Sequence, residues 1–351
     1  MGRVRYIGSK ARVVDDIMAI VGPPSPSDGY FVDAFCGTGI VGATAADLGW
    51  SVSFNDNLES AVITSAARLY GADTIAFEEL DGYSKTLDRL NALKPEPGFI
   101  WREYSPASET QSAVKVKRLY FTEANAGRID AIRRQIEVWR SDGTISESEY
   151  TLLLADLLSA SNVVANIAGT YGCFLSSFSD TSERDIALIP RKLRQHTVPS
   201  KTQTCDVFEI EVAPNDVVYF DPPYTKRQYA AYYHILETIA QGDEPVVEGK
   251  TGLRPWKDKA SPFCYKTKAL RALHDLIDQT RASRIFLSYS SEGHVARDDL
   301  DEVLAPLGDI TFHELGEIGR YRPNAAASEA ASTVSEYLVE VVKAASLEEA
   351  A

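Results

Sequence analysis

Residues 31–56 constrain the fold of this 351-residue chain more than any other stretch. Phe31-Val32-Asp33-Ala34 reads as a buried strand. Gly37 to Leu48 reads as a helix opened by a Gly-rich turn and closed by Gly49, and Val52-Ser53-Phe54-Asn55 as a second strand. A second helix is expected over 58–70. A β-α-β-α opening covers apolar strands with helices, so it predicts an α/β fold with a doubly wound, parallel, Rossmann-like sheet.

The rest of the chain extends this pattern and then interrupts it. Further strands are expected at 203–208, 216–220, 284–289, 310–314 and 335–342. Helices are expected at 9–21, 229–241, 266–281 and 296–305. Between about 73 and 200 the pattern changes to long helical stretches, 122–140 and 146–168, with a polar segment at 105–117. No internal repeat or linker-like run separates the parts. The economical division is one α/β core, 1–72 with 201–345, carrying a mostly helical insertion at 73–200.

Asp33-Ala-Phe35-Cys-Gly37-Thr-Gly39 falls on the first strand-to-helix turn. Glycines there let the backbone approach a ligand beyond the carboxyl ends of the strands. Gly37-Thr-Gly39-Ile-Val-Gly42 also satisfies the dinucleotide fingerprint, and Asp56 ends the next strand, where an acid binds ribose hydroxyls. An NAD-type oxidoreductase is therefore one reading of these residues. Asp33 points to another, because an acid at that place repels a pyrophosphate and attracts the ammonium of an amino acid. S-adenosylmethionine, an amino acid joined to a nucleoside, fits both ends of such a site.

Asp221-Pro222-Pro223-Tyr224 follows a second apolar run, Val217 to Phe220. The carboxylate accepts hydrogen bonds. The prolines lack N–H groups and fix a rigid kink with outward carbonyls. The tyrosine offers a flat face. Together they suit a planar base carrying an exocyclic amine, the group that an oxidoreductase reading leaves without a role.

The formal net charge is −14, against a polyanionic partner, but the charge is uneven. From Glu292 onward there are 4 basic and 13 acidic residues, whereas 183–201 carries 5 basic and 2 acidic, and 225–271 carries 9 and 5. Local basic segments flanking Asp221 can meet phosphate despite an acidic total. The four cysteines lie far apart without metal-ligand spacing, so free thiols in a reducing cytoplasm and no metal are expected. No apolar run approaches transmembrane length, and the first residues lack a signal-peptide core, so no membrane partner is expected.

On these residues the chain resembles the D12 class of DNA N6-adenine methyltransferases, and in particular is similar to the modification enzymes of type IIS restriction systems. The matching pieces are Arg5-Tyr-Ile-Gly-Ser-Lys10, Asp33 to Gly39, Asn55-Asp56, Tyr120-Phe-Thr-Glu123, Asp221 to Tyr224 with Arg227-Gln-Tyr229, Tyr233 to Thr238, and Thr251-Gly-Leu-Arg-Pro255. The resemblance implies a catalytic S-adenosylmethionine-dependent core at 1–72 and 201–345, with 73–200 as an inserted target-recognition domain. It implies that Tyr6 and Lys10 lie near the methionyl group and target base, that Asp56 holds the ribose, and that Asp206 and Val207 contact the cofactor's adenine. Asp33, Phe35, Gly37 and Gly39 complete the cofactor set.

The implied reaction is methyl transfer to N6 of an adenine flipped out of duplex DNA. Asp221 and the Pro222 carbonyl accept the two amine N–H bonds, Pro223 stiffens the kink, and Tyr224 stacks on the base. Arg191, Lys192, Arg194, Lys226 and Arg227 are expected phosphate contacts. A cognate restriction endonuclease and a prokaryotic cytoplasmic location are expected. Alternatives with the same cofactor are RNA adenine-N6 or DNA cytosine-N4 methylation; a fourth reading is a DNA-binding module without chemistry. His234, in an apolar helical stretch, is expected to be a packed residue, and Ser288 to Gly293 to line the DNA cleft.

Overall fold

A computed structural model describes residues 8, 10–318 and 334–343. The described chain divides into two compact units. One is built from residues 10–57, Ser200–Gln228, 261–318 and 334–343, the other from Gly8, Leu58–Pro199 and Tyr229–Ala260.

The first unit contains the whole sheet. Its strands are β1 (Phe31–Asp33), β2 (Val52–Asn55), β3 (Ser200–Gln203), β4 (Val217–Phe220), β5 (Arg284–Ser290), β6 (Asp309–Ile318) and β7 (Val334–Val342), in the order β3-β2-β1-β4-β5-β7-β6. The first five are parallel, and β7 runs antiparallel to both β5 and β6. Strand order reverses between β1 and β4, which makes their carboxyl ends the expected ligand crevice of an open α/β sheet. Because β7 is antiparallel, its start lies at that same edge, with Glu336 opposite Ser290 of β5.

Helices α1 (Val14–Val21), α2 (Ile40–Asp47), α11 (Lys266–Gln279) and α12 (Arg297–Leu304) belong to this unit. Helix α11 buries Ala269, Ala272, Leu273, Leu276 and Ile277, a 3.6-residue stripe, against Val218, Phe220, Ile285 and Val339 of the sheet. β3 has the polar sequence Ser-Lys-Thr-Gln because it is an edge strand with its side chains largely outside the core. The sequence reading placed this strand at 203–208. The apolar Val207 and Phe208 drew it there, but they form a 3-10 turn after the strand.

The second unit is helical: α3 (Glu59–Ala66), α4 (Tyr83–Asn91), α5 (Phe99–Tyr104), α6 (Ser108–Gln111), α7 (Glu123–Ser141), α8 (Glu147–Val164), α9 (Tyr229–Tyr232) and α10 (His234–Gln241). Thr122 caps α7 by accepting from the Asn125 N–H, and Ser146 with Glu149 forms a capping box on α8. The irregular chain from 165 to 199 has few ladder bonds, so buried amides brace it. Asn166 donates to three backbone carbonyls, and Asn125 bonds Ser182, Arg184 and Ile186. Glu237 of α10 accepts from the Glu59 and Ser60 N–H groups, capping α3 from across the unit. This unit thus begins at 58 and takes in 229–260, where the sequence reading began the insertion at 73 and left 229–260 in the core.

Candidate active site

The glycine turn after β1 is held by hydrogen bonds, not only by glycine freedom. Gly37 and Gly39 adopt φ of 49° and 69°, and Gly39 caps α2. Such left-handed backbone strains any residue with a Cβ. The Gly37 N–H donates to Asp56 Oδ2 at 3.0 Å, which joins the turn to the end of β2. Asn55 donates to the Ala34 and Cys205 carbonyls, tying the segment after β3 to the same edge.

Asp33 is 1% exposed and its Oδ2 accepts from the Gly42 N–H at 3.0 Å. Burial pushes its carboxyl up to about 7; the Gly42 bond opposes this, and the nearby Asp221 and Asp56 reinforce it. Gly42, third glycine of the fingerprint, serves packing instead. A Cβ there would collide with the Phe54 ring, so its absence lets α2 lie close on β2.

Aromatic rings line the next part of the edge. Phe35 meets Phe220 and Phe263 edge-on at 6.3 and 5.8 Å, and Phe263 stacks with Phe208 at 5.9 Å. Asp206 caps the turn that carries Phe208 by accepting its N–H. Val207 points into the core. Phe208 and Phe263 gave no signal in the sequence, where single aromatics outside a motif look like ordinary core, and Phe263 is indeed part of the core at this edge.

Asp221 stands at the end of β4, the neighbour of β1. Its Oδ1 lies 3.0 Å from Lys10 Nζ, and the same ammonium is 3.5 Å from Glu336 Oε2 of β7. Lys10 is 3% exposed and its Nζ sits 5.4 Å from the centre of the Tyr224 ring. Burial pushes the Asp221 carboxyl up to about 6; Lys10 opposes that and Glu336 adds to it. Burial works against the Lys10 ammonium, yet Asp221, Tyr224, Tyr219 and Glu336 outweigh it and hold its pKa well above that of an ordinary lysine. Tyr224, half-buried, packs against Tyr289 at 5.7 Å, and burial raises its hydroxyl to about 12. Pro222 is buried and Pro223 partly so.

The structure therefore collects Lys10, Asp33, Phe35, Gly37, Gly39, Asp56, Asp206 and Asp221 to Tyr224 at one edge of one sheet. Tyr6 lies outside the described residues. Of the basic residues, Lys192, Lys226 and Arg227 are exposed. Arg191 is not: its Nε donates to Asp156 at 2.7 Å, with both side chains almost buried. Its expected phosphate contact is corrected accordingly, since its guanidinium neutralises a buried acid. Arg194 is half-buried and donates to the Arg68 carbonyl. Of the stretch Ser288 to Gly293, Ser288, Tyr289 and Ser290 are buried, while Ser291 and Glu292 are exposed. His234 is fully buried, its Nε2 3.1 Å from the Tyr171 carbonyl, and burial pulls its pKa down to about 3. It is a neutral packed histidine, as the sequence suggests. Among the described residues no group of three or more His, Cys, Asp or Glu side chains converges as a metal centre.

The family model described as "D12 class N6 adenine-specific DNA methyltransferase" matches residues 6–300. The chain belongs to that family. It is 32% identical over 342 residues to the Type II methyltransferase M.FokI of Planomicrobium okeanokoites, covering 97% of this chain and 53% of the relative. It is 32% identical to Modification methylase StsI of Streptococcus sanguinis, over 86% of this chain and 46% of that one. Type II methyltransferase M.NlaIII of Neisseria lactamica is also 32% identical, over 87% and 89%. The chain thus spans about half the length of M.FokI and StsI, and most of M.NlaIII. Membership of this family removes the nicotinamide reading of the glycine turn.

Proposed function

We propose that this protein is a site-specific DNA adenine methyltransferase of a restriction-modification system. It would take a methyl group from S-adenosylmethionine and place it on N6 of an adenine flipped from duplex DNA. The observation that carries this reading is the meeting of Asp221-Pro-Pro-Tyr with the Asp33 glycine turn where strand order reverses.

The residues fit that cofactor. Two left-handed glycines leave the backbone open to a ligand, Asp56 at the end of β2 would hold the ribose hydroxyls, and the half-buried rings of Phe35 and Phe208 would give a purine an apolar surface. When bound, S-adenosylmethionine supplies an electrophilic methyl group on a sulfonium. The protein must then make a poor nucleophile available. The N6 lone pair is delocalised into the adenine ring. Asp221 and the Pro222 carbonyl, by accepting both N–H bonds, favour a pyramidal nitrogen. Tyr224 holds the ring by stacking, and the rigid kink fixes the orientation in advance. Flipping costs a few kcal/mol, offset in part by phosphate contacts from Lys192, Lys226 and Arg227. The helical unit, with its irregular 165–199 chain, would read the recognition sequence. A cognate endonuclease is the expected companion, because the named relatives are modification methylases.

The test is transfer of labelled methyl to duplex DNA, followed by nucleoside analysis. N6-methyladenine is expected, and Asp221→Ala should lower the rate by roughly 10²-fold or more while leaving S-adenosylhomocysteine binding within threefold. Label on cytosine, or on RNA alone, would overturn the acceptor assignment.

A further inference from the structure

Lys10 is a buried ammonium between two carboxylates, and the proposed reaction uses only one of them. Asp221 lies on Lys10 at 3.0 Å and Glu336 at 3.5 Å. Glu336 is 8% exposed, and beyond this ion pair its Oε2 makes no hydrogen bond among the described residues. An acid buried on a strand without a full set of partners is costly. Its place is set by the sheet: only the antiparallel course of β7 brings residue 336 to the catalytic edge, opposite Ser290. Its neighbours Tyr337, Leu338 and Val339 are ordinary core residues.

In the proposed reaction Asp221 must accept an N–H bond from adenine. In the structure its Oδ1 already faces Lys10. A lone ammonium there would compete with the substrate amine and drain the carboxylate's acceptor strength. We propose that Glu336 is a positioning residue that shares the Lys10 ammonium, holding it while Asp221 turns to the target amine. The inference rests on the methyltransferase reading. Glu336 touches neither substrate nor cofactor; it acts through Lys10. The charged and titratable groups facing this cluster are Asp33, Asp56, Tyr219, Asp221, Tyr224 and Glu336, with Lys10 as the buried cation and Arg227 as an exposed one beside Tyr224.

The experiment is a double-mutant cycle on the full chain: Glu336→Gln, Lys10→Met and the pair, each checked for a native far-UV spectrum and cooperative unfolding. We expect Glu336→Gln to lower kcat for DNA methylation tenfold or more, with KM for S-adenosylmethionine within threefold. In the Lys10→Met background the same change should cost less than twofold. The acid limb of the kcat profile should also move to lower pH in Glu336→Gln, because a negative charge beside Asp221 is lost; a purely structural role leaves that midpoint in place. An equal loss in both backgrounds, or no loss with Lys10 present, overturns the role of Glu336 while wild-type methylation keeps the enzyme reading intact. Wild-type protein that labels no adenine overturns both.

Discussion

Two carboxyl groups at the ends of adjacent strands titrate near neutrality, and they do so for different ends. Asp33 is sealed in and bonded to Gly42. Its pKa rises from 3.8 to about 7, mainly by burial. A carboxyl raised on folding adds stability below its unfolded pKa, and that contribution is lost as pH climbs through the folded value. Between pH 4 and 8 the native state therefore loses ground through this residue. Asp33→Asn keeps an acceptor for Gly42 without the charge. It should unfold like wild type near pH 4 and be more stable at pH 8, by roughly 2–4 kcal/mol at most. Denaturant midpoints at the two pH values check this. The Asp221 carboxyl, raised to about 6 mainly by burial, is the one proposed to serve catalysis. An acceptor must be ionised, so kcat/KM should fall about tenfold per pH unit below 6 and stay level just above it. A flat profile from pH 5 to 7 would contradict that assignment.

At the scale of elements, glycine has separate jobs within one fingerprint. Gly37 and Gly39 permit backbone angles, while Gly42 permits α2 to approach Phe54 of β2. Gly42→Ala should thus act as an overpacked core, destabilising by about 1–3 kcal/mol, with cofactor affinity falling as the turn shifts. Calorimetry on the apo protein together with S-adenosylhomocysteine titration separates the two effects. The strands and helices around this turn were legible because both carry continuous apolar runs with glycine stops. β3 was not, since an edge strand needs little apolar surface and its polar Ser-Lys-Thr-Gln gives no periodic signal. Glu336 was invisible for a related reason. It sits in an alternating strand, where an acid reads as an outward residue, and only the antiparallel pairing turns that position toward Lys10. The motif residues were found because several rare residues adjoin in sequence; the partners that tune them come from distant parts of the chain. The joining of 229–260 to the helical unit was equally hidden, because Glu237 caps α3 across 177–178 positions.

Over the whole molecule, charge sets a condition on DNA binding. A chain of net charge −14 gains nothing from overall steering toward a polyanion. Affinity must come from cations that no acid of the protein already holds, and burial decides which these are. Arg191 looked like the centre of a basic segment, yet it neutralises Asp156, a group only 4% exposed. Lys192, Lys226 and Arg227 keep their charge at the surface. Replacing each of these three by Gln should weaken binding to every duplex alike and lower the slope of log K against log salt by about 1 apiece. Arg191→Gln should behave differently. It leaves a buried acid with the Tyr83 hydroxyl but without its cation, at a cost of about 3–5 kcal/mol, so the denaturation midpoint falls while the salt slope of the folded protein holds. Anisotropy titrations at several salt concentrations, paired with urea unfolding, distinguish the two classes. If Arg191→Gln instead flattens the salt slope at unchanged stability, the guanidinium leaves Asp156 for phosphate when DNA binds, and the ion pair is a resting place rather than part of the scaffold.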